Sequence, residues 1–223
     1  MQTPDFTAAR LFMVNGQVRP NKVTDPRLLE ALRSLPRERF LPASAWPLAY
    51  ADEDVPLGGG RVLLAPMLLA RLVQAILDAS EGSKALVIGA GPGYGAAVLA
   101  ACGFSVTACD TDAALLALAR PALAALAPGA TLVEAGPADP PKGPFDAILI
   151  EGGFEVLPPA IAARLMPRGG GTGGRLFGVR RDGVGTGQAV EGEMTSAGLA
   201  LRPLFDASTA CLPGLDVAPS FVF

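Results

Sequence analysis

Between Ala85 and Cys109 the chain carries no charged residue. An uncharged run of that length suits two environments. One is a bilayer, which needs about 20 consecutive apolar residues in a helix. The other is the covered centre of an α/β sheet. Gly89, Gly91, Pro92, Gly93, Gly95 and Gly103 decide between them. Glycine and proline are the poorest helix formers, and at this density they cut the run into short pieces. What remains is a strand (Ala85 to Ile88), a turn, a helix (Gly95 to Cys102) and a second strand (Phe104 to Cys109). The first strand is apolar at every position, as a strand covered on both faces should be.

The same alternation continues downstream. Asp112 caps a helix that runs to Leu126 and stops at Pro128-Gly129. Thr131 to Ala135 and Phe145 to Ile150 read as the third and fourth strands. A helix is expected from Pro158 to Leu165, a glycine-rich stretch from Arg168 to Gly174, and a fifth strand from Arg175 to Arg180. The remainder, with Gly183, Gly185, Gly187, Pro203 and Pro213, reads as further strands and loops ending in Phe221-Val222-Phe223. Strands spaced by helices mean βαβ units and a doubly wound, mostly parallel α/β sheet of Rossmann-like type.

The first third is helical. Asp25-Pro26 opens a helix by N-capping with proline at the first position, and Leu28, Leu29, Leu32 and Leu35 form its apolar face. Asp52 to Gly60 reads as a loop. From Pro66 a second helix buries Leu68, Leu69, Leu72, Val73 and Ile76, leaving Arg71 and Gln74 outside. The expected organisation is a single domain over residues 1–223. A helical region, 1–80, packs beside the cleft of an α/β core with C-terminal strands, 81–223.

Composition removes several classes of function. Half the residues are hydrophobic and 17% are charged, so the chain is not intrinsically disordered. A net charge of −3 gives no electrostatic footprint for nucleic acid or an anionic membrane. There is no histidine, which excludes Ser-His-Asp and Cys-His catalysis and any His-ligated metal. Cys102, Cys109 and Cys211 form neither a CxxC pair nor an even disulfide set, and a reducing cytoplasm is the expected compartment. The segment Met1 to Arg10 lacks the apolar stretch of a signal peptide.

The chemistry lies in Val87-Ile88-Gly89-Ala90-Gly91-Pro92-Gly93-Tyr94-Gly95, which follows a strand and opens a helix. Glycines in that context let backbone approach a ligand at the helix N-terminus. A dinucleotide site wants GxGxxG. Here the glycines alternate, as in sites for S-adenosylmethionine. Asp110 follows the second strand, where a carboxylate can accept hydrogen bonds from both hydroxyls of a ribose. The expected cofactor contacts are therefore Gly89, Ala90, Gly91, Gly93, Tyr94 and Asp110. No residue stands out as catalytic.

On these and further segments the chain resembles the protein-L-isoaspartate O-methyltransferase family, a class I S-adenosylmethionine-dependent group. The resemblance covers Met13 to Arg19, Val23 to Leu32, Pro36 to Pro42, Ala49 to Asp54 and Pro56 to Gly60. It continues through Phe145 to Ile150, Leu165 to Pro167 and Gly174 to Leu176. It implies a Rossmann-like methyltransferase fold, S-adenosylmethionine as cofactor, and isoaspartyl-containing peptides or proteins as partners. The implied reaction is methylation of the free carboxylate in protein repair. That carboxylate is already ionised at pH 7, so the missing histidine is no obstacle.

Three positions depart from the family pattern. The loop that reads roughly Gln-Thr-Ile-Ser-Gln-Pro in the family is Arg61-Val62-Leu63-Leu64-Ala65-Pro66 here, so Val62 and Leu64 stand where hydroxyls hold the acceptor. Val87 replaces an acid that serves the cofactor's methionine end. Gly136-Pro137 replaces Gly-Asp, whose acid reaches the adenine. Arg61 is a candidate partner for the acceptor carboxylate, and Glu151 either replaces a lost polar contact or is a solvated loop acid. Three functions stay open: isoaspartyl repair with reduced activity, methylation of another acceptor, and a non-catalytic adenosine- or protein-binding module.

Overall fold

The computed structural model describes residues 5–168, 173–183 and 186–217. The expected terminal strand Phe221-Val222-Phe223 and most of the glycine-rich stretch after Arg168 lie outside them. The chain begins with α1 (Thr7–Phe12), which continues through a wider π-helical turn, Met13–Val18. α2 (Pro26–Ser34) starts where expected, with the Asp25 carboxylate accepting the Arg27 amide at 2.8 Å. Within the segment read as a loop, Asp52 to Gly60, Val55–Gly58 instead forms β1, which pairs as a hairpin with β2 (Arg61–Leu63). Gly58, Gly59 and Gly60 all take positive φ, a conformation open to glycine at no steric cost. The triple glycine therefore makes the turn, while Val55 and Leu63 anchor the two strands in the core.

α3 (Pro66–Ala79) leads to β3 (Lys84–Ile88), α4 (Tyr94–Ala101), β4 (Ser105–Asp110), α5 (Ala113–Leu126) and β5 (Thr131–Glu134). Then follow β6 (Ala147–Phe154), the single turn α6 (Pro159–Ala162), β7 (Arg175–Arg180), β8 (Gln188–Thr195) and β9 (Gly198–Asp206). The seven-stranded sheet has the order β5-β4-β3-β6-β7-β8-β9. β5 through β7 run parallel, and β8 and β9 close the edge antiparallel. The doubly wound α/β reading holds, with unequal covers. One face of the sheet, through Val87, Ala108, Leu149 and Phe177, packs against α2 to α5. The other, through Leu86, Ile148, Ile150 and Leu176, is covered by α6 and by Leu212 and Leu215 of the C-terminal loop.

β3 lies between β4 and β6, and the chain leaves β3 and β6 toward opposite faces. This is a topological switch point, where a crevice opens beyond the carboxyl ends of the strands. The N-terminal helices pack against the core beside it through Arg37. That side chain is fully buried, with Nε donating to the Ala49 carbonyl at 2.7 Å and Nη2 to the Leu64 carbonyl at 2.6 Å. Its guanidinium also lies 4.9 Å from the centre of the Tyr94 ring. Arg37→Met keeps the length but leaves two buried carbonyls unpaired. It should lower unfolding free energy by about 2 kcal/mol in urea titrations, and a change below about 0.5 kcal/mol would show these bonds are dispensable.

Gln74 also departs from its expected place outside the apolar stripe of α3. It is buried, and its Oε1 accepts the amides of Thr24 and Asp25, each at 2.9 Å. A long polar side chain inside the stripe here joins α3 to the start of α2.

Candidate functional site

The loop after β3 is shaped by its alternating glycines. Gly89, Gly91 and Gly93 have φ of +69°, +55° and +93°, the left-handed region that side chains with a Cβ rarely enter. The Gly93 amide donates to Ala90 O at 2.8 Å, closing the turn, and the Ala90 amide donates to Cys109 O at 3.0 Å, tying it to β4. A Cβ on Gly89 would stand 2.5 Å from Cδ1 of Leu212. The C-terminal loop thus lies directly over the first glycine.

Asp110 ends β4 and is 2% exposed. Its Oδ2 accepts the Gly91 amide at 2.7 Å and its Oδ1 the Asp112 amide at 2.9 Å. The remaining acceptor positions go to Arg61, with Nη1 donating to Oδ1 at 2.8 Å and Nη2 to Oδ2 at 2.7 Å. Nη2 also donates to Gly89 O at 2.9 Å. Burial works to raise the Asp110 pKa, but the Arg61 fork and the backbone amides outweigh it and the net shift is downward. The pair is bidentate and buried on both sides, the strong form of a carboxylate–guanidinium contact.

Beside this pair lies a cleft of about 240 Å³ along the ends of β3, β4 and β5, walled by Gly59, Gly89, Thr111, Gly136, Pro137 and Leu212. Of the residues nominated from sequence, Gly89 and Asp110 line it; Ala90, Gly91 and Gly93 belong to the same turn but do not line the cleft. The Tyr94 side chain does not line it. Its ring is buried edge-on to Phe40 at 5.3 Å and beneath Arg37, and burial pushes its hydroxyl up to about 12. Helix α4 begins at Tyr94 and turns the side chain inward. Val87 is sealed inside the sheet, and Leu64 is fully buried rather than facing an acceptor.

Glu151 is no solvated loop acid. β6 runs four residues beyond Ile150, so Glu151 sits inside the strand, 3% exposed, on the face that covers α4. Its carboxyl abuts Gly95, and Oε1 has no hydrogen-bond partner among the described residues. Burial pushes its pKa up to about 8 against the pull of Arg61 and Arg37. Arg37 Nη1 and the Tyr94 hydroxyl nearby are also buried without partners. The role of Arg61 as partner of Asp110, and the closure by Leu212 and Pro213, carried no signal in the sequence.

Residues 12–177 match the sequence model of the family described as protein-L-isoaspartate(D-aspartate) O-methyltransferase. The chain belongs to that family. It is 40% identical over 174 residues to protein-L-isoaspartate O-methyltransferase 1 of Rhodopseudomonas palustris strain HaA2, covering 77% of this chain and 69% of that one. It is also 40% identical over 168 residues to the protein-L-isoaspartate O-methyltransferase of Methylorubrum extorquens strain PA1, covering 74% and 73%. The fold agrees with the solved structure of a Plasmodium falciparum protein described as a putative protein-L-isoaspartate O-methyltransferase in complex with S-adenosyl-L-homocysteine. The TM-score is 0.73 at 16% identity, over 94% of this chain and 99% of that one. The family match ends at Phe177, so β8, β9 and the loop bearing Leu212 lie beyond it.

Proposed function

We propose that the chain transfers a methyl group from S-adenosylmethionine to the free carboxylate of isoaspartyl residues in damaged proteins. The observation that carries this reading is the placement of Asp110 at the carboxyl end of β4, bonded to the Gly91 amide and flanking a cleft beside the glycine turn. At Gly91 a Cβ would touch Leu57 Cδ1 at 3.7 Å and Arg61 Nη2 at 3.9 Å, so that part of the turn lies under the β1–β2 hairpin, and the cleft opens beside it along Gly89, Gly136 and Pro137. The cleft, with Asp110 at its edge and glycine backbone at Gly89 and Gly136, fits the cofactor once Arg61 gives up its hold on the carboxylate. Asp110 would hold the ribose, the Gly89–Gly93 backbone the centre, and Gly136 and Pro137 the face of the base.

When bound, the cofactor supplies an electrophilic methyl group on a sulfonium. The work of this chain is to hold the acceptor oxygen in line and keep water out, since an ionised carboxylate needs no base. Positioning of that kind accounts for a large part of the rate of a bimolecular transfer. Leu57 and Leu212, close over Gly91 and Gly89, supply apolar cover. We place the reaction in the cytoplasm. The three cysteines are free thiols, which suits a reducing compartment. No helix among the described residues is long and apolar enough to cross a membrane.

Two assays test the reading. S-adenosylhomocysteine should bind in calorimetry, and a standard isoaspartyl peptide should accept methyl groups. Failure of the first favours a non-catalytic module, and success of the first with failure of the second favours another acceptor. Restoring the family's hydroxyls through Val62→Thr with Leu64→Ser is the change expected to raise turnover from the sequence pattern alone. The buried position of Leu64 changes this expectation, since a serine there leaves a cavity and an unmet hydroxyl, costing about 2–4 kcal/mol. Val62 is half-buried in the hairpin. Val62→Thr alone should raise isoaspartyl methylation several-fold with melting temperature unchanged. An unchanged rate would show that this position does not limit the reaction.

A further inference from the structure

An ionised carboxylate offers about four lone-pair positions, and in this chain all four on Asp110 are filled. Two hold the turn together through the Gly91 and Asp112 amides. The other two are taken by Arg61, from the far side of the β1–β2 hairpin. Those are the positions that the vicinal hydroxyls of a ribose need, and Arg61 and a ribose cannot both have them. A second observation concerns charge. Among the described residues lining the cleft, Asp110 and Asp112 are acidic and Arg61 is the one cation. An anionic acceptor entering the cleft meets repulsion from both aspartates and finds its only counter-charge engaged.

We propose that Arg61 exchanges partners during the cycle: it occupies the ribose positions of Asp110 in the free protein and, once displaced by the cofactor, becomes the receptor for the acceptor carboxylate. This rests on the cofactor reading above and adds an order of binding to it. Cofactor enters first, because only then does the acceptor gain a cationic partner. The geometry allows the movement. Arg61 follows Gly58, Gly59 and Gly60, three residues at positive φ with open space where a Cβ would be, so the hairpin turn has room to carry the guanidinium outward. The planar fork that grips Asp110 is equally matched to another carboxylate. The anchor that Val62 and Leu64 do not provide is thereby supplied by the residue before them.

Calorimetry on the full chain tests both halves. Arg61→Met removes the internal occupant, so S-adenosylhomocysteine should bind at least tenfold tighter than to the wild type. An isoaspartyl peptide should bind the wild type at least tenfold better in the presence of S-adenosylhomocysteine than in its absence. Arg61→Met should lose that enhancement, and Arg61→Lys should retain part of it. Thermal melts keep the test clean, because a folded but less stable Arg61→Met should gain more melting temperature from S-adenosylhomocysteine than the wild type does. Unchanged or weaker S-adenosylhomocysteine binding by Arg61→Met would overturn the exchange. So would peptide binding that is indifferent to cofactor or to Arg61. If wild type and both variants all fail to bind S-adenosylhomocysteine, the cofactor reading falls and the exchange with it.

Discussion

Asp110→Ala should cost about 3–5 kcal/mol of unfolding free energy at pH 7, in addition to abolishing measurable binding of S-adenosylhomocysteine. The reason is the partner left behind. In its resting position Arg61 is 7% exposed and, without Asp110, has only the Gly89 carbonyl to accept from it; relieving that charge requires opening the β1–β2 hairpin and giving up its packing over the turn. Breaking a buried pair by removing one member typically costs that much, because the survivor is uncompensated. The Gly91 and Asp112 amides lose their acceptor as well. Two further measurements follow from the same argument. Adding Arg61→Met to Asp110→Ala should recover much of the loss, since removing both charges removes the uncompensated one.

The deficit should also shrink in acid. The folded-state pKa of Asp110 is lowered, so its contribution is present above the unfolded value, near 3.9, and is lost as pH falls through the folded one. Urea unfolding at several pH values reads all of this. A loss below about 1 kcal/mol at pH 7, or a double variant no better than the single, would mean the pair does not hold the turn.

The part of this site legible in the sequence was the part written by local backbone needs. Alternating glycines between an apolar strand and a helix can serve only a sharp turn with positive φ, and the acid after the next strand falls where parallel neighbours end together. The register Ile88 to Cys109 puts both at one edge. What stayed hidden depends on tertiary partners. Arg61 in a sequence looks like any surface arginine, and only the fold of the hairpin onto β3 and β4 turns it into the mate of Asp110.

Leu212 covers Gly89 from a loop more than 120 residues away in sequence, and no local pattern encodes that. Gly152-Gly153 suggest a loop, which is why Glu151 looks solvent-exposed in the sequence. In the structure they continue β6 through an irregular register with β7, which keeps Glu151 inside. The helix expected over Pro158 to Leu165 shrank to one turn. Proline starts it well, but Ile161 and Leu165 are its only deeply buried side chains, too few to hold a longer helix against that face.

Glu151→Gln should make the protein more stable, and more so the higher the pH. The carboxyl abuts Gly95 of α4, and the charges that act on it are Arg61, Arg37 and Asp110. Burial raises its pKa to about 8, against about 4.3 in an unfolded chain. A raised value means the folded state holds a proton that the unfolded state has given up. Stability therefore falls by about 1.4 kcal/mol per pH unit between those two values and levels off above them.

Tyr94, raised to about 12, and Asp110, lowered, do not titrate in that window. The slope belongs to Glu151. Glutamine has the same shape and no proton to lose, so its variant should match the wild type near pH 4 and exceed it by about 3–5 kcal/mol at pH 9. Denaturant titrations across pH 4 to 9 measure the difference directly. Parallel profiles for the two proteins would show that Glu151 ionises freely in the folded state, with Arg61 or Arg37 compensating its charge.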